Sequence, residues 1–130
     1  MPSVPRDLRY TKDHEWLAIG DDVSVSGVTA VAAEALGDVV YLDLPAVGAT
    51  LRAGEPCGEV ESTKAVSDLY APADGVVVEV NADVVADPGL VNTEPYGRGW
   101  LLRLRITGTP DLLDAQAYAA LVGADVEEPR

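Results

Sequence analysis

The feature that most constrains the fold of this chain is the repeated interruption of short, Val-rich stretches by turn residues. These turns are Gly20-Asp21-Asp22, Pro45 with Gly48, Gly54 with Pro56, Pro72 to Gly75, and Asp87-Pro88-Gly89. Many short strands with turns at this spacing are typical of a β-sandwich or barrel. Composition agrees, because the apolar residues are mostly Val, Leu and Ala, Phe is absent, and β-branched residues favour strands. The sequence therefore predicts a mainly β protein.

Alternation of apolar and polar residues predicts which side chains of each strand face the core. In residues 99–107, Arg103 and Arg105 fall on one face, and the opposite face holds Trp100, Leu102, Leu104 and Ile106. In residues 75–81 the predicted inward set is Val76, Val78 and Val80. In residues 38–45 it is Val40, Leu42 and Leu44.

Two segments have helical rather than strand signals. In "TAVAAEALG", Thr29 suits the N-cap and Gly37 the position after the last helical residue, which predicts a short helix near residues 30–36. In "DAQAYAALVG", Asp114 and Gly123 have the same roles and predict a helix near residues 114–122. Pro110, in "TPDLL", suits the first position of a further helical turn.

Length and charge limit the class of protein. The 130 residues are predicted to form a single domain, 1–130, and the net charge of −13 argues against binding to nucleic acid or to anionic lipid. No apolar run reaches the length of a membrane span, and the first ten residues lack the pattern of a signal peptide. Cys57 stands alone, which indicates a reducing compartment, and it is predicted to be a small buried residue. These observations predict a soluble, cytoplasmic protein.

Two segments of the chain have a similar pattern, and one of the two lysines lies between them. Residues 37–60 and 74–91 each contain a Val-rich strand, a short polar link and a final apolar stretch, in that order, which predicts two copies of one unit forming a flattened barrel-like sandwich. The segment between them contains "ESTKAVSDLYAP", which is predicted to be a hairpin with Thr63 and Lys64 at its apex. Lysine occurs only twice, at Lys12 and Lys64, whereas arginine occurs seven times.

An exposed lysine is most often a solvated surface residue, but its primary amine can also be acylated. Arginine has no primary amine and is effectively always protonated, so it resists this modification. Acylation turns a charged tip into a long neutral arm. Such an arm can swing between the active sites of several partners and raise the local concentration of its cargo at each of them.

The segment "ESTKAVSDLYAP" resembles the lipoylation segment of the glycine cleavage system H-protein family, whose usual form is Glu-Ser-Val-Lys-Ala-x-Ser-Asp. The resemblance extends in order through "LRYTKDHEWL", "GVTAVAAEALGDVVYLDLPAVGATL", "LVNTEPYGRGWLLRLR" and "LLDAQAYAAL", and so covers nearly the whole chain. It implies a hybrid barrel-sandwich of antiparallel strands with short helices outside.

The same resemblance implies a carrier protein that is not itself an enzyme, with lipoate bound covalently to Lys64. The carrier would shuttle the aminomethyl group of glycine from the pyridoxal-phosphate-dependent decarboxylase (P protein) to the tetrahydrofolate-dependent aminomethyltransferase (T protein). Dihydrolipoyl dehydrogenase (L protein) would then reoxidise it. A lipoyl-attaching enzyme is the fourth implied partner.

The resemblance also implies that Glu15 and Asp68 line the cleft that receives the loaded arm. Carboxylates are suited to this role, because the loaded arm ends in a cationic amine. A metal site is not expected, since zinc usually draws three or four His or Cys ligands and His14 is the only histidine. Trp16 and Trp100 are predicted to be core residues. Asn92, Glu94, Pro95 and Tyr96 are predicted to form a structured loop beside the cleft, with Gly97 and Gly99 relaxing its backbone.

The chain departs from the family pattern in one place near this cleft. Many relatives have Ile-Thr-x-His-Ala-Gln where residues 28–33 read "VTAVAA", so Val31 replaces the usual His and Ala33 the usual Gln. The sequence therefore predicts that a polar wall of the cleft is apolar in this protein.

Other functions fit parts of the pattern. An H-like protein could act as a lipoyl depot from which other enzymes are lipoylated. Biotin carriers share the fold but normally flank the lysine with Met, whereas Lys64 lies between Thr63 and Ala65. The lipoyl domain of a 2-oxo-acid dehydrogenase would continue through a Pro/Ala linker, whereas this chain ends in "VEEPR". From a different class, an unmodified interaction domain could use the acidic surface.

Overall fold

A computed structural model of the chain describes residues 3–109 and 111–127. The strands are β1 (Arg9–Tyr10), β2 (Glu15–Ala18), β3 (Ser24–Val28), β4 (Val39–Asp43), β5 (Thr50–Leu51), β6 (Pro56–Ser62), β7 (Val66–Tyr70), β8 (Asp74–Val80) and β9 (Leu102–Gly108). The helices are α1 (Ala30–Leu36), α2 (Ala82–Ala86), α3 (Leu90–Thr93) and α4 (Ala115–Val122).

The strands form two sheets in which neighbouring strands are antiparallel. The larger sheet has the order β1-β2-β3-β9-β8-β5, and the smaller has the order β4-β6-β7. Two antiparallel sheets with short helices confirm the predicted mainly β, hybrid barrel-sandwich fold. The two segments of similar pattern, residues 37–60 and 74–91, begin with β4 and β8, which lie in different sheets. After these strands the first segment continues with β5 and β6, whereas the second continues with helices α2 and α3.

Two groups of buried side chains hold the fold together. The larger group contains residues of both sheets, for example Leu42 and Val60 from the smaller and Val77 and Leu104 from the larger, so the main core lies between the sheets. The second group packs α4 against the N-terminal strands and consists of Val4, Tyr10, Trp16, Ala115, Tyr118 and Ala119. In this group the rings of Tyr10 and Tyr118 stack with their centroids 4.6 Å apart.

The alternation in β9 is confirmed from Leu102 onward. Leu102 and Leu104 are buried, Ile106 packs against the main core, and Arg105 is exposed. Trp100 was wrongly assigned to the same face, because it precedes the strand and packs against the second group instead. The guanidinium carbon of Arg103 lies 4.5 Å from the centroid of a Trp100 ring.

In β8 and β4 the predicted inward faces are wrong in part, because each strand contains a bulge. In β8 the fully buried residue is Val77, and the register with β9 shifts between Val77 and Glu79, which returns Val80 to the core. In β4 the register with β6 shifts between Val39 and Tyr41, so Val39 is buried and Val40 is 49% exposed. One extra residue reverses the alternation in a strand, and the period of two does not reveal where that residue lies.

Helix caps are where the sequence predicted them. The side chain of Thr29 accepts a hydrogen bond from the Ala32 N–H, and that of Asp114 accepts one from the Ala117 N–H. Both helices end at a glycine with positive φ, 80° at Gly37 and 73° at Gly123. The short helices α2 and α3 were not predicted, and the helical turn proposed to start at Pro110 lies at a residue outside the described ones.

Within the described ranges, none of the helices is long and apolar enough to cross a membrane. Cys57, predicted to be buried, is only partly so and packs against the main core. Burial raises the pKa of its thiol to about 11.

Candidate functional site

Lys64 lies at the tip of the hairpin formed by β6 and β7. These strands pair with Glu61 opposite Val66, so the chain reverses across residues 62–65. The Ser62 hydroxyl oxygen accepts hydrogen bonds from the backbone N–H groups of Lys64 and Ala65, each at 3.1 Å, and the Ser62 N–H donates to the Ala65 carbonyl at 2.8 Å. The lysine side chain is exposed at a turn whose backbone is held in one geometry.

A cavity of about 210 Å³ adjoins this tip, with Ala65 in its wall. Its apolar lining comes from β3, α1 and the β6–β7 hairpin, and consists of Val28, Ala32, Ala35, Leu36, Val60 and Leu69. Three acids also line it: Asp13 from the turn between β1 and β2, Glu15 from the start of β2 and Asp68 from β7. His14 and Ser67 complete the polar part of the lining. Glu15 and Asp68, named from the resemblance, are brought together in this cavity.

Glu15 is the buried acid of the cavity. Its side chain is 3% exposed, and its carboxylate accepts a 2.7 Å hydrogen bond from the Thr11 hydroxyl. Burial raises the pKa of Glu15 to about 7 and nearby Asp13 adds to the rise, whereas hydrogen bonds from the Thr11 hydroxyl and the Tyr70 backbone oppose it. A cation that entered the cavity would favour the ionised carboxylate.

Asp68 occupies a different environment, at the rim of the cavity. It is exposed on β7, an edge strand, and lies opposite Glu59, which in turn pairs with Asp43. The two acids therefore differ in exposure: Glu15 lies inside the cavity, and Asp68 faces water at its edge.

Tyr118, which was not recognised in the sequence, connects two of the elements that line the cavity. The Tyr118 hydroxyl, fully buried on α4, lies 2.8 Å from the Thr29 hydroxyl and 2.8 Å from Nδ1 of His14. Thr29 caps α1, and His14 has a φ of 69°, which is uncommon for a residue other than glycine. One phenol thus joins the turn that leads into β2, at the residue before Glu15, to the N-cap of the helix that lines the cavity. The sequence contained no signal of this contact, since residues 14 and 118 meet only through the tertiary fold.

His14 therefore has a hydrogen-bonding partner in the second core group. Among the residues that the structure describes, no three His, Cys, Asp or Glu side chains come together in a way that could hold a metal ion.

Val31 and Ala33 were predicted to make one wall of the cavity apolar, but neither residue lines the cavity. Val31 packs against the second core group, Ala33 is buried in the main core, and the helical residues that line the cavity are Ala32, Ala35 and Leu36. With about 100° between successive helical residues, Ala32, Ala35 and Leu36 share one face of α1, whereas Val31 and Ala33 lie about 100° to either side of Ala32.

The loop predicted beside the cleft is wrong in one residue, because Asn92 lies in α3. The residues that follow α3 do not line the cavity but support α1 and the core. The Tyr96 hydroxyl accepts a hydrogen bond from the Ala30 N–H at 3.0 Å, and the Pro95 carbonyl accepts one from Nε1 of Trp16 at 2.9 Å. Trp16 is 3% exposed, which confirms its predicted place in the core.

Comparison with known proteins gives one consistent result. The family model described as glycine cleavage H-protein matches residues 8–125. The glycine cleavage system H protein of Beutenbergia cavernae is 56% identical over 123 residues, which cover 95% of this chain and 99% of that protein. The protein of the same description from Streptomyces coelicolor is 57% identical over 124 residues, or 94% of this chain and 99% of that protein.

A solved structure agrees with the sequence comparisons. The crystal structure of a glycine cleavage system H protein from Mycobacterium marinum superimposes with a TM-score of 0.90 at 52% identity, over 92% of this chain and 99% of that one. Nearly the whole chain is thus matched in both sequence and structure, and the chain belongs to the glycine cleavage H-protein family.

Proposed function

We propose that this single-domain chain is the lipoyl carrier of a glycine cleavage system and that Lys64 is the residue that carries the lipoyl group. Membership of the family gives the role of a carrier rather than a catalyst. The observation that supports Lys64 is its position, an exposed primary amine at a hairpin tip beside a largely apolar cavity.

Attachment of the group is an acylation. The neutral amine of Lys64 attacks the carbonyl carbon of an activated lipoyl donor, an amide C–N bond forms, the bond to the donor's leaving group breaks, and the proton of the amine goes to a base. The exposed tip suits this reaction, because the attaching enzyme must enclose the amine and its acyl donor together.

The residues of the cavity fit such a group. Lipoate, when bound, supplies a dithiolane that accepts the one-carbon unit of glycine. Val28, Ala32 and Leu36 offer contacts for an aliphatic chain that starts beside Ala65. Glu15 and Asp68 would hold a cationic amine at the far end of that chain through charge-assisted hydrogen bonds.

We further propose that this carrier visits the pyridoxal-phosphate-dependent decarboxylase, the aminomethyltransferase and dihydrolipoyl dehydrogenase, and that a lipoyl-attaching enzyme modifies it. The net charge of −13 supports docking on basic rims around the entrances of those active sites. The lone cysteine supports a reducing, cytoplasmic compartment.

Intact mass spectrometry tests the assignment of Lys64. The wild type, Lys64→Arg and Lys12→Arg are produced in a host that lipoylates proteins, and Lys12 is the matched control because the chain has no third lysine. We expect the wild type and Lys12→Arg to gain the mass of one lipoyl group and Lys64→Arg to gain none. All three should unfold at similar temperatures, because exposed substitutions usually change stability by less than about 0.5 kcal/mol.

Reconstituted glycine cleavage with the three partner enzymes completes the test. Activity should be lost in Lys64→Arg and retained in Lys12→Arg. A wild type that is never modified, or a Lys64→Arg protein that still is, would contradict the proposal.

A further inference from the structure

The side chain of Lys64 does not extend freely from the hairpin but lies against the corner of residues 37–39, between α1 and β4. A methyl group built on Gly37 would lie 3.2 Å from Cε of Lys64, 3.8 Å from Cδ and 3.9 Å from Cγ. Three carbons of the lysine therefore pack over a position that has no side chain. Gly37 also has a φ of 80° and a ψ of −161°, a conformation that favours glycine.

Backbone contacts tie this corner to the hairpin tip. The Thr63 N–H, next to Lys64, donates a 3.0 Å hydrogen bond to the Asp38 carbonyl. A main-chain hydrogen bond thus holds the corner to the residue before the lysine, and the lysine carbons themselves pack on the corner.

Asn92 holds the other side of the corner with a single carboxamide. Its Nδ2 donates to the carbonyls of Gly37 at 2.8 Å and Ala33 at 3.3 Å, and its Oδ1 accepts from the Val39 N–H at 2.9 Å. These contacts satisfy backbone groups at the end of α1 and at the start of β4. The same amide therefore fixes both the last turn of α1 and the direction in which the chain leaves it.

The position of the corner relates the lysine to the cavity. Gly37 directly follows Leu36, which lines the cavity, and Ala65 lines it next to Lys64. A lysine packed over Gly37 starts alongside the same helix whose residues Ala32, Ala35 and Leu36 line the cavity.

We propose that Gly37 is the contact surface that orients the Lys64 side chain and that Asn92 is a positioning residue that fixes this surface. Before modification the contact presents the amine in one direction. After acylation it starts the arm beside α1, and this second part rests on the proposed function of Lys64.

NMR of the unmodified protein tests the contact without any lipoylation. Lysine labelled with ¹³C at Cε gives two signals, from Lys64 and from Lys12, which serves as an internal reference. We expect NOEs from the ε protons of Lys64 to the α protons of Gly37. We also expect the Cε order parameter of Lys12 to fall below about 0.6, as for flexible groups, and that of Lys64 to be higher. Equal mobility of the two lysines and no NOE would overturn the proposal, whatever the mass measurements say about the modification.

Asn92→Asp tests the positioning role, and Asn81→Asp is a matched control. The Asn81 amide also donates to two carbonyls, of Arg98 at 2.8 Å and Trp100 at 2.6 Å, but it lies after β8, and its oxygen accepts from the Asp83 N–H rather than from the corner. Both changes place a carboxylate against two carbonyl oxygens. Only Asn92→Asp should abolish the NOE between Lys64 and Gly37.

Lipoylation kinetics supply the functional measurement for the same pair of variants. If the oriented lysine becomes a minor conformer of about one tenth, the KM of the attaching enzyme for the carrier rises about tenfold while kcat is unchanged. Asn81→Asp should leave KM unchanged. Equal effects of the two variants on KM, or an unchanged KM and NOE in Asn92→Asp, would show that Asn92 contributes only to stability.

Gly37→Ala addresses the contact surface directly. The added methyl would meet Lys64 Cε, whereas Gly123→Ala introduces a methyl at another positive φ with no heavy atom within 4 Å. We expect only Gly37→Ala to change the chemical shift of Lys64 Cε. An unchanged shift in a folded Gly37→Ala protein would rule out the contact.

Discussion

Replacing Glu15 with Gln should stabilise the protein increasingly as pH rises from about 4.5 to 7. Glu15 is 3% exposed, and burial raises its pKa from the ordinary 4.5 to about 7. Each pH unit of that interval corresponds to about 1.4 kcal/mol. At pH 8, ionisation of Glu15 therefore costs the folded state about 3 kcal/mol relative to the unfolded chain.

The direction of this effect follows from proton binding. Between pH 4.5 and 7 the folded protein keeps the proton that the unfolded chain has released, so the free energy of unfolding falls as pH rises. Above pH 7 both states are ionised and the loss is complete. The amide of the Glu15→Gln variant has no such proton, so the stability difference between the variant and the wild type should grow by about 3 kcal/mol across the interval and then stay constant. Asp13, His14 and Asp68, which line the same cavity, are present in both proteins.

Urea unfolding of both proteins at several pH values from 4.5 to 8.5 measures this difference. The result that would refute the reasoning is a difference in the free energy of unfolding that does not change with pH. A ¹³C NMR titration of the Glu15 carboxyl group gives a direct check. Thr11→Val should raise its pKa further, because the lost hydroxyl donates a hydrogen bond to the ionised form.

Three further predictions concern other parts of the molecule. Tyr118→Phe removes the hydroxyl that bridges His14 and Thr29, and should lower the free energy of unfolding by about 1–3 kcal/mol in urea titrations; no loss would mean that the bridge contributes nothing. Leu104→Ala, at a fully buried core position, should cost about 2–5 kcal/mol, and a cost below about 1 kcal/mol would contradict its place between the sheets. Association with the proposed partner, the pyridoxal-phosphate-dependent decarboxylase, should slow as salt is raised from low to physiological concentration, as stopped-flow measurements would show; a rate independent of salt would indicate apolar docking instead.

Local sequence was sufficient to predict the features that arise from neighbouring residues. The caps at Thr29 and Asp114, the terminal glycines of the same helices, and the hairpin tip at Lys64 are all where the sequence indicated. Each depends on the conformational preference of a few consecutive residues, such as a hydroxyl or carboxylate that binds an N–H two or three residues ahead. The motif around Lys64 was also readable, because it is continuous in the chain.

The tertiary structure alone decided where the faces of β4 and β8 change. An extra residue in one strand is defined only by the register of its partner, so Val40 and Val78 could not be recognised as bulge residues from the alternation of a single strand.

The environment of the candidate site also could not be predicted from the sequence. Three features of the site depend on residues that are far apart in the chain: the burial of Glu15, the bridge made by Tyr118, and the support of residues 37–39 by Asn92. His14 and Tyr118, for example, are 104 positions apart. The family resemblance placed both Glu15 and Val31 beside the cleft, but Glu15 lines the cavity whereas Val31 packs against the second core group. A residue type and its motif determine which chemistry is available. Its exposure, its partners and its pKa depend on which distant elements pack against it, and packing is a property of the whole fold.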